Sequence, residues 1–305
     1  MHSIKTPTFS FRLRSAVLGF TAAGLFYACL PSVSMGVPSR DERVERYEVI
    51  DQAEGAKRMA AFRSLRLEGD FCFKFQLKHK PRKDRTVRYN GIMYGSWNER
   101  GPVSRFKLFP EEIGKDAPDG NAPIELIVQN GISPKVWIRH QSTAAFSLIE
   151  DDALFEPIFE GVLYTPFDLQ MPFVFWDNYS YEGPSRVSSR VGQCFLMQPP
   201  AGSLAEEFDV SAVRIALDDT YYALLKAEVF GGEGELRSTF EAGVLRKIQG
   251  QWIVREVSLQ DAQSKDVTDF NVKAASVGLI FDAAVFDPDS NVGAPEISAA
   301  LFEVL

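Results

Sequence analysis

An alternation of apolar and polar side chains over residues 65–78 constrains the fold more than any other feature of this sequence. The odd positions carry leucine, phenylalanine and one glycine, and the even positions carry charged or polar residues and one cysteine. Because successive side chains of a strand point to opposite faces of a sheet, the alternation predicts a long strand with one aromatic and one polar face. Residues 87–97 repeat the pattern, and the stretch 80–84 between the two segments predicts a turn.

Short strands continue through most of the remaining chain, bounded by Gly, Pro, Asn or Asp. They are predicted at 103–109, 123–129, 134–140, 185–198, 210–218, 223–231, 235–248, 251–261 and 266–274. Short turns between consecutive strands indicate an antiparallel meander.

Three stretches are predicted to cover this sheet. Residues 43–64 have a helical period with Asp41 as a candidate N-cap, and 278–305 form an irregular tail with a short helix at 295–304. Residues 151–176 are apolar and aromatic, but their prolines oppose a long helix or a central strand. The sequence therefore predicts a mainly β (α+β) protein, a curled antiparallel sheet or unclosed β-barrel, with helices covering its concave apolar face.

A curled sheet lined with phenylalanine would suit acyl chains, since each buried CH₂ group contributes about 0.8 kcal/mol. The alternative is that the aromatic face simply packs beneath the predicted helix 43–64 as ordinary core. The candidate residues for an apolar cavity are Leu67, Phe71, Phe73, Phe75, Met93, Trp97, Phe173, Phe175 and Trp176.

A cluster of basic side chains marks the basic turn, residues 78–88, where six lysines and arginines accompany one acid, Asp84. Such a cluster is typical of a surface that contacts anionic lipid headgroups or an acidic partner. A solvated turn without a partner is the alternative. The candidate contact residues are Lys80, Arg82, Lys83 and Arg85.

The first 34 residues have the pattern of a secretory signal peptide. Basic residues precede an apolar run at 16–30, and Ser32 and Ser34 provide the small-x-small spacing of a cleavage site. The run is too short to span a bilayer, which takes about 20 apolar residues. We therefore expect a periplasmic mature protein, residues 35–305, that forms a single domain.

A lipid anchor at Cys29 is an alternative location for the mature protein. Cys29 follows Phe26, Tyr27 and Ala28, and of these three only Ala28 fits a lipidation motif. Soluble export is therefore the expectation. Loss of the signal would also remove three basic residues from a chain of net charge −8. The mature protein would therefore be more acidic, and this argues against general nucleic-acid binding.

The chemistry-bearing residues of the mature chain are few. Cys72 and Cys194 are its only cysteines, and although export invites a disulfide, their distant strands favour free thiols. Its histidines are His79 and His140, and no nucleophile elbow, metalloprotease motif or phosphate loop is present. Residues 287–293 resemble the start of a calcium loop but misplace its glycine. The sequence predicts no enzyme, cofactor or metal site.

Several motifs carry a resemblance to a known family. They are DLQMPFVFW at 168–176, YEGP at 181–184 with Arg190, LLKAEVF at 224–230 and GQW at 250–252. Together they resemble the bacterial outer-membrane lipoprotein-sorting proteins of the LolA/LolB/RseB-like superfamily, over about residues 45–275. The resemblance implies an unclosed β-barrel that wraps helices around an apolar cavity for lipid tails. It carries no functional residue onto this chain.

The resulting expectation is a periplasmic carrier or binder of lipoprotein acyl chains or phospholipid. It would act as a monomer, with an inner-membrane donor complex and an outer-membrane acceptor as partners and with no nucleic acid. One alternative is a sensor module of the same fold that binds and regulates a partner protein. A further alternative is an extracytoplasmic hydrolase.

Overall fold

Antiparallel strands contain 49% of the residues described in the computed structural model, which are 47–111, 123–140, 145–159 and 161–305. The predicted signal peptide, Cys29 and residues 35–46 lie outside the described residues. Within the described ranges, no helix is long and apolar enough to cross a membrane.

The strands follow one another along the chain with short connections. They are β1 (Asp70–Lys80), β2 (Val87–Asn98), β3 (Gly101–Pro110), β4 (Ile124–Gln129), β5 (Lys135–His140), β6 (Ser147–Ile149), β7 (Tyr179–Val187), β8 (Arg190–Met197), β9 (Val210–Asp218), β10 (Leu224–Gly231), β11 (Leu236–Ala242), β12 (Leu245–Ile248), β13 (Gln251–Val254), β14 (Glu256–Asp261), β15 (Val267–Leu279) and β16 (Glu303–Val304).

Fourteen of these strands form one antiparallel sheet in the order β6-β5-β4-β3-β2-β1-β15-β14-β11-β10-β9-β8-β7, with β16 paired to β15. Strands β12 and β13 pair with each other in a separate two-stranded hairpin. Among the described strands, β6 and β7 end the order without meeting, so the sheet is not closed into a barrel. The predicted fold class is confirmed. The predicted single strands at 185–198, 235–248 and 251–261 are each divided between two strands of the structure.

The alternating pattern in the sequence begins before the observed strand does. Strand β1 begins at Asp70 rather than at residue 65, because Gly69 has a φ of +74° and the chain turns there. Glu68, which precedes this turn, is hydrogen-bonded to hairpin β12–β13. The Glu68 backbone N–H donates to Gln251 Oε1 at 2.6 Å, and Gln251 Nε2 donates to the Glu68 carbonyl at 3.0 Å.

Glycines in β2 make room for the aromatic side chains of β1. Phe75 lies opposite Gly91 and Phe71 lies opposite Gly95 in the register of the two strands. A Cβ atom added at Gly91 would lie 2.3 Å from the Phe75 ring. That ring also stacks on Phe270, with a centroid distance of 4.4 Å, so it has little freedom to move away.

Gly91→Ala is therefore expected to lower the free energy of unfolding by about 1–3 kcal/mol, because overpacking forces Phe75 off its position. Urea denaturation would measure the change. Gly293→Ala is the matched control, because a Cβ there has no neighbour within 4 Å. Equal stability of the two variants would contradict the close approach of Phe75 to β2.

The structure describes three short α-helices: α1 (Gln52–Arg63), α2 (Pro166–Gln170) and α3 (Leu204–Glu207). The prediction of a helix over 43–64 was wrong for 47–51, which are not helical, and Asp41 lies outside the described residues. Helix α1 begins after Asp51, whose side chain accepts from the Glu54 N–H at 2.7 Å. The residues before it are bonded to the sheet, since the Ile50 N–H donates to the Tyr181 hydroxyl at 3.3 Å.

Both faces of the β1–β5 part of the sheet are covered. The C-terminal segment, residues 280–302, packs Val285 and Phe286 on the face that carries Cys72. This corrects two expectations: the tail does not cover the concave face, and Cys72 is fully buried rather than on a wet face. The tail also lacks the predicted helix at 295–304 and has a 3-10 turn at Ala299–Leu301.

The two cysteines are both free and buried on this convex side of the sheet. Burial raises the pKa of the Cys72 thiol to about 12 and that of Cys194 to about 11. Both thiols are therefore protonated near neutral pH.

Candidate functional site

The covering segment, residues 151–176, lies on the concave face of the sheet and packs its aromatic side chains there. One half forms a cluster with helix α1 and strands β8–β10; its members include Met59, Phe167, Phe173, Trp176, Phe195 and Ile215. The other half packs on β1–β4 through Phe159, Val162 and Tyr164, and the Phe159 ring stacks on Tyr89 with centroids 4.5 Å apart. The segment thus bridges two apolar clusters of the same face.

Arg63, the last residue of α1, fastens the end of the covering segment to the helix. Its Nε donates to the Val174 carbonyl and its Nη2 to the Trp176 carbonyl, both at 2.7 Å. Its guanidinium also lies over the Tyr179 ring, 5.5 Å from the centroid. Because both bonds involve a charged donor, they are stronger than ordinary side-chain hydrogen bonds.

Asn130, directly after β4, holds the middle of the covering segment. Its Nδ2 donates to the Leu169 carbonyl at 2.9 Å and to the Gln170 carbonyl at 2.7 Å. These carbonyls end α2, where Met171 takes a left-handed conformation with a φ of +44°. A helix leaves its last carbonyls without intrahelical partners, and Asn130 satisfies two of them.

A buried polar contact near the end of β1 holds the first half of the covering segment. The Leu163 N–H donates to Thr268 Oγ1 at 3.0 Å, and the same oxygen lies 2.8 Å from His79 Nδ1. Burial lowers the pKa of His79 below its ordinary value, so the imidazole is neutral at pH 7.

Helix α1 is seated on the sheet by a second polar network. Arg58 Nη1 lies 2.5 Å from Asp219 Oδ1, which also accepts from Gln193 Nε2 at 2.7 Å. The Tyr181 hydroxyl donates to Gln193 Oε1 at 2.5 Å. Arg58 is almost completely buried, so this network fixes the helix more firmly than an exposed ion pair would.

Asp168 forms a capping box at the start of α2. Its Oδ2 accepts from the Thr165 N–H at 2.9 Å and from Thr165 Oγ1 at 2.8 Å. Burial nevertheless raises the pKa of this carboxyl to about 6, despite the opposing effect of the Thr165 bonds. Ionisation of Asp168 is therefore unfavourable in the folded protein.

A raised carboxyl pKa gives a stabilising contribution that is fully present below about pH 4 and is lost as the pH rises through about 6. Wild-type stability relative to Asp168→Asn is therefore expected to fall between pH 4 and 6 and to stay level above. Chemical denaturation across this range would measure it. A difference between the two proteins that rises with pH would contradict this assignment.

The structure divides the predicted cavity residues among several environments. Leu67, Phe71 and Phe73 pack beneath hairpin β12–β13 with Ile248 and Ile253. Phe75 belongs to the β1–β4 cluster of the covering segment, and Met93 contacts both groups. Phe173, Phe175 and Trp176 pack with α1, and Trp97 lies under the Arg66 guanidinium. Met93 thus joins two of these groups, and the role of all nine residues in binding stays a prediction.

The basic turn lies at the connection between β1 and β2, with Arg82, Lys83 and Arg85 exposed. Lys80 is ion-paired with Asp269 at 2.6 Å, and the Arg82 N–H donates to Asp266 Oδ1 at 2.8 Å. These acidic neighbours on β15 and its turn reduce the local positive charge that the sequence suggested.

A pocket of ≈160 Å³ lies on the convex face of strands β7–β11. Its lining includes Arg214, Lys226, Glu228 and Glu241, and Arg214 is paired with Glu182 at 2.6 Å. This polar pocket differs in chemistry and position from the predicted apolar cavity. The described residues contain no group of three or more His, Cys, Asp or Glu side chains that could hold a metal ion.

No family model matches the sequence, and no curated protein matches it either. Solved structures do share its fold. A DUF1329 family protein from Desulfovibrio piger has a TM-score of 0.63 at 14% identity, with 77% of this chain and 96% of that chain covered. An outer membrane lipoprotein-sorting protein domain from Vibrio parahaemolyticus has a TM-score of 0.62 at 13% identity, with 76% and 94% covered.

A LolA superfamily protein from Nitrosomonas europaea has a TM-score of 0.55 at 12% identity, with 77% of this chain and 97% of that chain covered. At these identities the likeness concerns the fold. The chain therefore has the LolA-like fold that the sequence resemblance implied.

Proposed function

We propose that this protein holds the acyl chains of a lipid or lipoprotein between the concave face of its sheet and the covering segment. The observation that carries the proposal is how the covering segment is attached. No described residue of 151–176 belongs to a strand, and apolar packing with a few side-chain-to-backbone bonds holds the segment in place. Such a segment can leave the sheet without breaking a strand ladder.

Acyl chains would enter as the covering segment moves away and would replace its aromatic side chains on the sheet. Burial of their methylene groups would supply the binding free energy, about 0.8 kcal/mol for each CH₂. Because Arg63 bonds the end of the segment to α1, these two hydrogen bonds would break when the segment leaves the sheet.

The proposal includes residues 35–305 as one exported domain in the periplasm. There it would move acylated cargo from an inner-membrane donor complex to an outer-membrane acceptor. The exposed Arg82, Lys83 and Arg85 would contact anionic headgroups during transfer. No cofactor takes part in this function.

Native mass spectrometry with lipid extraction, on protein purified from the periplasm, tests the proposal. We expect co-purified acylated cargo, and we expect the empty protein to take up a fluorescent fatty acyl probe. Protein that carries no lipid and takes up no probe would reject the carrier function and favour a module that binds only a protein partner.

A further inference from the structure

Tyr164 places a hydroxyl group inside the apolar cluster beneath the covering segment. Its side chain is 5% exposed and packs in the cluster that contains Phe75, Tyr89 and Phe159. The backbone around it is fixed, because the Ile158 N–H donates to the Tyr164 carbonyl at 2.9 Å. The hydroxyl therefore occupies a defined position between the segment and the sheet.

The Tyr164 hydroxyl has no hydrogen-bond partner among the described residues. Other tyrosine hydroxyls do: that of the buried Tyr94 donates to the Pro295 carbonyl at 3.0 Å, and that of the half-buried Tyr181 donates to Gln193. A buried polar group without a partner is unfavourable, and phenylalanine would fill the same space without that cost. The free hydroxyl is suited to a partner that arrives when the covering segment opens.

The charges near Tyr164 restrict the chemistry of that partner. Asp168 and Asp269 both lie close enough to act electrostatically on the phenol, and with burial they raise its pKa above the ordinary value. The phenol is thus a hydrogen-bond donor at physiological pH. Asp269 is paired with Lys80, but the Asp168 carboxylate has no ion-pair partner among the described residues. Its charge disfavours an anionic ligand such as a free fatty acid and leaves a neutral carbonyl oxygen as the better acceptor.

We propose that the Tyr164 hydroxyl donates a hydrogen bond to the ester or amide carbonyl of a bound acyl chain and so selects acyl esters and amides over free fatty acids. This inference rests on the proposed function, because it assumes that acyl chains occupy the space beneath the covering segment. It adds the linkage chemistry of the cargo and a residue that recognises it.

Titration calorimetry at pH 8 tests the inference with tetradecane, methyl tetradecanoate and tetradecanoate, each delivered from a cyclodextrin. The wild type should bind the ester more tightly than the free acid. Tyr164→Phe should weaken ester binding about three- to tenfold, the value of one hydrogen bond, while tetradecane binding is unchanged or tighter. The melting temperature of the ligand-free variant should be no lower than that of the wild type.

Tyr94→Phe is the matched control, because it removes a satisfied buried hydroxyl from the opposite face. It should lower stability and leave the preference for ester over alkane intact. If Tyr164→Phe weakens ester and alkane binding equally, or weakens neither, the hydrogen bond from Tyr164 to the acyl carbonyl is rejected. The carrier function stands in both cases. If the wild type binds none of the three ligands, the proposed function is rejected, and this inference with it.

Discussion

Arg105→Ala is expected to detach the C-terminal segment from the sheet and to lower the free energy of unfolding by about 3–5 kcal/mol. Arg105 is only 1% exposed, and its Nη1 donates to the Val285 carbonyl at 2.8 Å and to the Val292 carbonyl at 2.9 Å. Its Nε and Nη2 donate to Glu125 Oε2 at 3.0 and 2.7 Å. One guanidinium thus joins the segment to a partly buried carboxylate of β4.

The large effect follows from what the substitution leaves behind. Although burial alone would raise the pKa of Glu125, hydrogen bonds from Arg105 and Arg139 lower it below the ordinary value. Without Arg105, the partly buried Glu125 carboxylate loses two of its hydrogen bonds, and the carbonyl groups of Val285 and Val292 lose this donor. Urea denaturation would measure the stability, and limited proteolysis within residues 280–302 would detect release of the segment.

Arg139→Met is the appropriate control for Arg105→Ala. Arg139 lies 2.9 Å from the same Glu125 oxygen but is more exposed, and no bond of the C-terminal segment depends on it. Its loss should cost about 1 kcal/mol or less and should leave proteolysis of the segment unchanged. If the two variants were equally stable, Arg105 would not be the residue that fastens the segment.

Arg63→Met is expected to increase opening of the covering segment by about 30- to 1,000-fold. The variant loses two hydrogen bonds from a charged donor to the carbonyls of Val174 and Trp176, and each such bond contributes about 1.5–3 kcal/mol, of which packing of the methionine offsets part. Hydrogen exchange of the amides in 165–176 would measure the opening. Uptake of an acyl probe should accelerate in parallel.

Arg66→Met gives the same chemical change three residues further along the chain. Arg66 is exposed and lies over Trp97, 5.9 Å from its ring centroid. It should alter neither exchange in the covering segment nor probe uptake. Unchanged hydrogen exchange in Arg63→Met would mean that packing alone holds the segment. Faster exchange without faster uptake of the probe would mean that opening of the segment does not limit ligand entry.

Local patterns were enough to predict most of the strand-forming stretches, but they missed β6, β16 and the turns within three of the predicted strands. The alternation in 65–78 found β1, and the prolines at 166 and 172 excluded a long helix, which agrees with the short α2 and the 3-10 helix Pro172–Phe175. The pattern failed at Cys72, which alternation placed on a polar face. A distant segment covers that face, and periodicity within one strand contains no information about such a contact.

The residues that hold the covering segment could not be found in the same way. Arg63 and Asn130 bind backbone carbonyls, which every residue has, so no partner motif accompanies them. Arg63 and Val174 are also 111 residues apart in the sequence. The Asn130-Gly131 pair predicts a turn, but not that the asparagine side chain reaches α2. The role proposed for Tyr164 could not be predicted from the sequence either, because only the fold shows that its hydroxyl has no hydrogen-bond partner among the described residues.

The free ends of the sheet at β6 and β7 leave the size of its interior variable. In a closed barrel, strand number and stagger determine the radius, so the interior has one size. Here no ladder joins β6 to β7 within the described strands, and the two halves can spread or approach by a change of twist alone. The interior is therefore adjustable, and in the proposed carrier function one protein would enclose cargo with different numbers and lengths of acyl chains.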